Sequence, residues 1–211
     1  MFATDRDLLA LEPNLFRDVS FLAQTLAVTT GTLAAGVLAL DDPLPDAAVS
    51  PGYVVVLDRT PLEILSITDP STLVVSLTRP DPSGPQILPL NRAGAPVSIT
   101  TFQPQLAIIH RQLLAMLGIA PAGASGPGII PESAILNPRD LTPAECFGAL
   151  NLIYSAAAAP LSDTSPQAQR ARMYQDRFAQ ERWRARAEID LDGDQVAEAT
   201  RTLNVSHLQR A

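Results

Sequence analysis

The segment from residue 53 to residue 101 constrains the fold more than any other part of the chain. Four stretches of strand length, rich in valine, leucine, isoleucine and threonine, are separated here by turns and loops that contain proline. These stretches are residues 53–58, 62–68, 72–79 and 96–101. Short strands joined by tight turns are typical of a small antiparallel barrel or sandwich, and we predict one of the SH3-like kind. Upstream, residues 25–30 and 32–40 alternate threonine with leucine and valine, which predicts a further strand pair around a Thr-Gly turn.

The chain on either side of these strands carries helical signals. Residues 4–7 can cap a short N-terminal helix that ends before Pro13. Residues 104–117 place leucine and isoleucine at helical spacing. The Thr-Pro-Ala-Glu sequence at 142–145 has the composition of a capping box, and it predicts a helix that continues to residue 159.

A last helix is predicted from Ser165, a candidate N-cap, to about Glu188. Pro166 suits its first position, and a short loop joins it to the preceding helix, so we expect the two to pack antiparallel. The fold class predicted for the whole chain is α+β: a small SH3-like barrel or sandwich, a C-terminal helical bundle and an extended C-terminal arm. The predicted segments are an N-terminal helical segment (1–24), a β domain (25–101), a helical bundle (102–188) and an arm (189–211).

The acidic balance of the chain argues against a general nucleic-acid-binding protein. The formal net charge is −7, and all 15 basic residues are arginine. The only cysteine, Cys146, excludes an internal disulfide framework and fits a reducing compartment. With one cysteine and two distant histidines, His110 and His207, the chain has too few soft ligands for a zinc site, and we expect no metal or other cofactor.

One pair of residues bears on catalysis. Cys146 and His110 are the candidate nucleophile pair of a cysteine hydrolase. The alternative interpretation makes Cys146 a small apolar residue on a helix and His110 a residue of a helix surface or interface. We favour this alternative and predict that the chain is not an enzyme.

The Asp-Leu-Asp-Gly-Asp sequence at 190–194 bears on metal binding. Its carboxylates occupy positions one, three and five, as in EF-hand-like calcium loops. Gln195 stands where that pattern expects glycine, and Arg201 stands where it expects a bidentate acid. The sequence therefore favours an acidic turn that ends the last helix. A calcium-binding or peptide-binding module stays open as an alternative function.

The residues expected to contact a partner lie on the last helix and in the tail. Arg170, Arg177 and Arg184 recur every seven residues along one line of that helix. Trp183, the only tryptophan, falls on a different face from the apolar residues, where a tryptophan is more often an interface anchor than a core residue. The tail from residue 203 alternates apolar and polar residues, which suits addition to a sheet edge or insertion into a groove of another protein. The predicted partner-binding residues are Arg170, Arg177, Trp183, Arg184, Leu203, Leu208 and Arg210.

Several features follow one another in a characteristic order. A short acidic helix precedes a β module that begins at residues 51–53, and a leucine-rich helix follows it. Next come the Asn-Pro-Arg-Asp-Leu-Thr sequence at 137–142, an alanine-rich helix with Tyr154, and an arginine-rich helix that ends in the acidic sequence at 190–194. This order resembles the head-to-tail connector, or neck, proteins of tailed bacteriophages. The adaptor class is the most similar, and the resemblance covers residues 141–211 best.

The resemblance implies a structural virion protein of the phage neck. Adaptors form rings, usually of twelve copies, that dock on the portal protein and link it to the tail. The implied partners are the portal, other neck or tail proteins, further copies of the chain, and genomic DNA that passes through the lumen without sequence-specific contact. The implied location is the virion neck, after synthesis in the host cytoplasm and with no membrane contact. Because a β module is not a general feature of adaptors, a stopper or tail-completion protein of the same neck is the alternative.

Overall fold

The computed structural model describes residues 1–45, 49–123, 126, 128–162 and 164–203. The chain divides into two compact units, a barrel unit (Thr4–Gln103) and a helical unit (Met1–Ala3 with Pro104–Ala211). The fold is mixed α+β, as the sequence predicts. The N-terminal helices belong to the same unit as the strands instead of forming a segment of their own. In the described part of the chain, no helix combines the length and the apolar character that crossing a bilayer requires.

Six antiparallel strands close into a barrel in the barrel unit. The strands are β1 (Thr25–Ala34), β2 (Val37–Leu40), β3 (Val54–Leu57), β4 (Thr60–Asp69), β5 (Thr72–Ser76) and β6 (Arg92–Thr100). Their order is β1-β2-β5-β4-β3-β6, and β6 pairs back onto β1. Of the two predicted β architectures, the barrel is therefore the one that forms, and its closure leaves these six strands without an unpaired sheet edge.

The turn between the first two strands lies later than predicted. β1 continues through Gly31, and the chain reverses at Ala35 and Gly36, whose φ angles are 49° and 79°. A Cβ atom on Gly31 would lie 2.7 Å from the carbonyl oxygen of Ala39 on the paired strand. The glycine therefore allows a close approach of two backbones inside a strand pair and does not mark the turn.

Alternate residues along the strands point inward and form the core of the barrel. They are leucine, valine and isoleucine side chains with almost no exposed surface: Leu33, Leu38, Val55, Leu62, Ile64, Leu73, Val75, Val97 and Ile99. Burial of a side chain of this size contributes roughly 1.5–3 kcal/mol relative to an exposed position. This core accounts for the predicted alternation of apolar and polar residues.

Two short helices, α1 (Asp5–Leu11) and α2 (Leu15–Asp18), precede the barrel. The predicted cap of α1 is present, since the N–H of Thr4 donates to Oδ2 of Asp7 at 2.8 Å. Leu8 and Leu9 are buried in the barrel unit, so this helix contributes its apolar side to the unit's interior.

Three longer helices and a strand pair make up most of the helical unit. The elements are α3 (Gln103–Leu117), α4 (Thr142–Ala158), α5 (Pro166–Arg184), β7 (Arg186–Ile189) and β8 (Ala199–Thr202), with 3₁₀ turns at Glu132–Ala134 and Pro138–Leu141. Ser165 caps α5 as predicted, because its Oγ accepts the N–H of Ala168 at 3.2 Å.

Helices α4 and α5 form an antiparallel hairpin. The rings of Tyr154 and Tyr174 stack with centroids 5.8 Å apart and an interplanar angle of 7°. Arg170 lies over Tyr154, whereas Arg177, further along α5, lies over Phe147, which is earlier on α4. The two helices therefore run in opposite directions, as the short connection between them predicts.

The prediction for the last part of the chain is wrong in two respects. Helix α5 ends at Arg184, not near Glu188, and residues 186–189 form strand β7. Strand β8 then pairs with β7, so the chain up to residue 203 folds back and is not an extended arm. The physical reason is that Ala187 and Ile189 are buried while Arg186 and Glu188 are exposed, which is the alternation of a strand.

Candidate functional site

The end of α5 and the start of β7 expose a tryptophan beside arginines. Trp183 is 76 % exposed, and Arg184 and Arg186 are exposed as well. Tryptophan and arginine are the residues most enriched at the energetic centres of protein interfaces. We refer to Trp183, Arg184 and Arg186 as the tryptophan surface. Its chemistry, an exposed apolar ring with two exposed arginines within three residues of it in sequence, is suited to recognition of another macromolecule.

Two of the predicted contact residues lie on the helical hairpin instead of this surface. Nη1 of Arg170 donates to the hydroxyl oxygen of Tyr154 at 3.0 Å, and the guanidinium lies over the tyrosine ring. The guanidinium carbon of Arg177 is 5.8 Å from the ring centroids of Phe147 and Tyr174. Both arginines therefore stack on aromatic rings within the chain and contribute to packing of α5 on α4.

Of the three tail residues predicted to contact a partner, one is buried and two lie outside the described residues. Leu203 was expected to contact a partner, but its side chain is only 1 % exposed and lies in the interior of the helical unit. Nη2 of Arg182 donates to the carbonyl oxygen of Leu203 at 3.3 Å, which holds this part of the backbone in place. Leu208 and Arg210 lie outside the described residues.

Arg186 is a member of the tryptophan surface that the sequence prediction missed. The predicted helix continued to residue 188, which gave Arg186 no distinct role. The alternation of Ala185, Ala187 and Ile189 with polar residues is compatible with a strand in which Arg186 is exposed, and pairing with β8 shows that this strand forms.

Four carboxylates come together in the loop between β7 and β8. One oxygen from each of Asp190, Asp192, Asp194 and Glu198 lies within 4.8 Å of the others. The sequence prediction included the three aspartates but not Glu198, which falls at position nine of the same EF-hand pattern, where a ligand often binds through water. It joins them because β8 brings residue 198 back beside residue 189, whose carbonyl accepts the Glu198 N–H at 3.1 Å.

Backbone amides of the same loop already occupy several of these oxygens. Asp190 accepts the N–H of Gln195 at 2.9 Å and the N–H of Gly193 at 2.6 Å. These hydrogen bonds hold the pKa of Asp190 below its usual range. The N–H of Leu191 donates to Oε2 of Glu198 at 2.6 Å. The loop is therefore an acidic turn, but it connects β7 to β8 and does not end the last helix as predicted. Its clustered oxygens are ligands of the kind that a hard divalent cation takes.

His110 lies between two carboxylates in the interior of the helical unit. Its Nδ1 is within hydrogen-bond distance of Oε2 of Glu145, at 3.3 Å. Its Nε2 is 3.0 Å from Oε1 of Glu132, which is an ion-pair distance, but this second contact does not have the geometry of a hydrogen bond. Glu145 also accepts the N–H of Phe2 at 2.8 Å, and the hydroxyl of Thr142 donates to the carbonyl of Phe2 at 2.9 Å. The Thr-x-x-Glu sequence predicted to cap α4 therefore binds the backbone of Phe2, because Thr142 is already inside the helix.

The other half of the candidate nucleophile pair is inaccessible. Cys146 follows Glu145 on α4, and its side chain is buried in the helical unit. A substrate cannot reach a thiol at that depth, and His110 is oriented by carboxylates. The observed arrangement therefore gives no support to a cysteine hydrolase.

The carboxylates around His110 make the stability of the helical unit dependent on pH. Burial lowers the pKa of His110, but the hydrogen bond and charge of Glu145, with the carboxylate of Glu132, outweigh it and raise the pKa above 6.5. Because the folded-state pKa is the higher one, this stabilisation is complete below pH 6.5 and is lost as the pH rises through the raised pKa. Urea unfolding followed by far-ultraviolet circular dichroism should show a larger loss in the wild type than in His110→Gln. Equal pH dependence in both would contradict the assignment, and Arg111→Gln, an exposed change on the same helix, is the control.

No protein-family model, curated protein or solved structure matches the chain.

Proposed function

We propose that this chain is a structural protein of the bacteriophage neck, a ring-forming head-to-tail adaptor that docks on the portal protein and links it to the tail. A stopper or tail-completion role in the same neck is the variant of this proposal that a β-barrel unit suits. The observation that carries the proposal is the tryptophan surface. A tryptophan that is three-quarters exposed beside arginines is expected of a subunit that works inside an assembly.

The two folded units support the same function. In the proposal, the barrel is of the SH3-like kind, and the α4–α5 hairpin is the centre of the helical bundle that adaptors share. The chain acts without a cofactor and catalyses no reaction. Its partners are the portal, neighbouring neck or tail proteins and other copies of itself, and its location is the virion neck.

The excess of negative charge in the barrel unit supports a role in which DNA passes the protein without binding to it. The barrel unit contains eleven aspartates and glutamates against five arginines. A lumen lined by negative charge repels phosphate, so DNA slides through it instead of binding to it. An adaptor ring that conducts the genome into the tail needs this property.

A native pull-down from the cells that produce the protein tests the proposal. We expect the tagged chain to recover a portal or tail protein, identified by mass spectrometry. We also expect a chain that lacks residues 204–211 to lose the portal, since the tail is the segment whose sequence suits insertion into another protein. Leu191→Ala, an exposed change on the acidic loop, is the matched control and should recover as much portal as the wild type. Unchanged portal recovery by the truncated chain would contradict the role of the tail, and recovery of metabolic or signalling proteins alone would contradict the neck function.

A calcium-binding module is the second candidate, and the clustering of four carboxylates in the β7–β8 loop is the observation that favours it. If this candidate is correct, calcium at a hundredfold excess over its dissociation constant stabilises the chain by about 2.7 kcal/mol. The melting temperature should then rise with calcium in the wild type and in Asp176→Ala, an exposed change on α5, but not in Asp192→Ala. No rise in the wild type would remove this candidate.

A further inference from the structure

One end of the barrel holds an open apolar cavity of about 170 Å³. It lies where β3 turns into β4 and where β6 begins. Leu57 and Leu62, which belong to the buried core, form its floor, and Leu77, Leu90 and Arg92 line its rim. The cavity therefore leads from solvent directly to core side chains, and a large apolar group placed in it would contact several leucines at once.

Exposed aliphatic side chains also lie on the segment that leads to the cavity, and one of them lines it. Leu90 is 79 % exposed, Leu88 is 58 % exposed and Ile87 is 40 % exposed, all on the segment that connects β5 to β6. The N–H of Leu77 donates to the carbonyl of Ile87 at 3.0 Å, which holds this segment against the end of the barrel. Neighbouring exposed leucines around a cavity are typical of a surface that a partner covers.

The charges of the chain identify the partner that fits this surface. The barrel unit carries the excess of carboxylates described above, whereas residues 166–186 carry six arginines against two carboxylates. The basic segment also presents Trp183, an exposed apolar ring. Arg92, at the rim of the cavity, is 3.9 Å from the half-exposed carboxylate of Asp58, which can accept a second arginine. The chain thus carries an apolar anchor in a basic surface and an apolar cavity in an acidic unit.

We propose that Trp183 of one copy inserts into the barrel cavity of a second copy, with Arg184 close to Asp58 at the rim. The two surfaces are different, so the contact is heterologous, and each copy can offer its tryptophan to one neighbour and its cavity to another. Contacts of this kind build rings when the rotation closes. The inference rests on the proposed function for the ring, and it names the contact between neighbouring subunits.

The fluorescence of Trp183 reports on this contact without a label, since it is the only tryptophan of the chain. As the concentration of the full-length chain rises, we expect its emission to shift to the blue and native mass spectrometry to show dimers and larger species. Leu90→Asp should abolish both changes although its tryptophan is intact. Trp183→Ala should weaken the association by about 30-fold or more, the loss typical of a buried tryptophan anchor. Val28→Asp, an equally exposed change elsewhere on the barrel unit, is the control and should assemble as the wild type does.

A mixture of the two defective variants tests the pairing itself. Trp183→Ala retains the cavity and Leu90→Asp retains the tryptophan, so the mixture should form a heterodimer and nothing larger. A wild-type chain that stays monomeric at all concentrations, a Trp183→Ala chain that assembles normally, or a mixture that fails to form the heterodimer would each overturn the proposal. These results are independent of the portal pull-down. Self-association without portal recovery would support this contact and contradict the neck function. Portal recovery by a chain that does not self-associate would support the neck function and contradict this contact.

Discussion

Replacing Glu63 with alanine is expected to destabilise the barrel unit by about 3–5 kcal/mol, the cost of leaving buried charges without their partner. Glu63 is buried on β4, and its two carboxylate oxygens bind different arginines. Oε2 accepts Nε of Arg6 at 3.1 Å, and Oε1 accepts both the side chain and, at 3.2 Å, the backbone N–H of Arg79. Both arginines are largely withdrawn from solvent, so water cannot replace the lost carboxylate. Arg6 keeps an ion pair with Asp7 at 3.0 Å, whereas Arg79 has no second carboxylate within ion-pair distance in the described part of the chain.

The contacts of Glu63 with Arg6 and Arg79 connect several parts of the barrel unit, so the loss of stability is not confined to β4. Arg6 lies on α1, and Arg79 begins the loop after β5, where its Nη1 donates to the carbonyl of Gly84 at 2.7 Å. Glu63 thus joins the N-terminal helix, the barrel and the start of the loop that leads to the cavity. We expect Glu63→Gln to lose less stability than Glu63→Ala, because the amide keeps one acceptor and the side-chain volume.

Urea unfolding followed by far-ultraviolet circular dichroism measures this effect. Asp18→Ala is the matched control, since Asp18 also pairs with an arginine, Arg17, at 2.9 Å, but the pair is exposed. Its loss is expected to change the free energy of unfolding by about 0.5 kcal/mol or less. An effect of similar size in Glu63→Ala and Asp18→Ala would contradict the interpretation of Glu63 as a buried network.

The free energy of unfolding is expected to fall by up to about 4 kcal/mol between pH 4 and pH 7 because of Asp5. Asp5 is fully buried in the barrel unit, where it accepts the hydroxyl of Thr101 at 2.6 Å and the N–H of Phe102 at 2.9 Å. Burial raises the pKa of Asp5 from 3.8 to about 7, and the two hydrogen bonds oppose part of that rise. Over this range the folded state keeps a proton that the unfolded state has released, so stability decreases as the pH rises and levels off above pH 7.

The Asp5→Asn variant isolates this contribution. Asparagine has nearly the same shape, can accept the N–H of Phe102 and can donate to Thr101, but it does not titrate. Urea unfolding at several pH values should therefore show a shallower decrease between pH 4 and pH 7 than in the wild type, with the variant the more stable of the two at neutral pH. Asp18→Asn, at an exposed position, should keep the wild-type profile. A profile of Asp5→Asn that matches the wild type would show that Asp5 is ionised throughout.

The elements that the sequence predicted well are those in which local and long-range signals agree. Ser165 and Pro166 mark the start of α5 unambiguously, and the alternating leucines and valines of the barrel match its inward-facing positions. The errors arise where one pattern is compatible with two structures. Ala185 and Ile189 fit the apolar face of a helix as well as one side of a strand, and only pairing with β8 decides between them.

Parts of the candidate sites depend on contacts between residues far apart in sequence. Glu198 comes close to the three aspartates because β8 pairs with β7. Glu145 accepts the N–H of Phe2 instead of capping α4. The contact between Glu145 and Phe2 joins residues 143 positions apart, which no local pattern contains, whereas Glu198 falls at position nine of the EF-hand pattern. In contrast, exposure of Trp183 was predictable from its position off the apolar face of α5, since one antiparallel helix such as α4 covers only one side of its partner.

Quantitative mass spectrometry of purified phage particles tests the central claim most directly. If the chain is a neck protein, it co-purifies with intact virions through a density gradient at a copy number close to that of the portal protein. Its absence from particles that contain portal and tail proteins, while it remains abundant in the lysate of the same cells, would contradict the neck function.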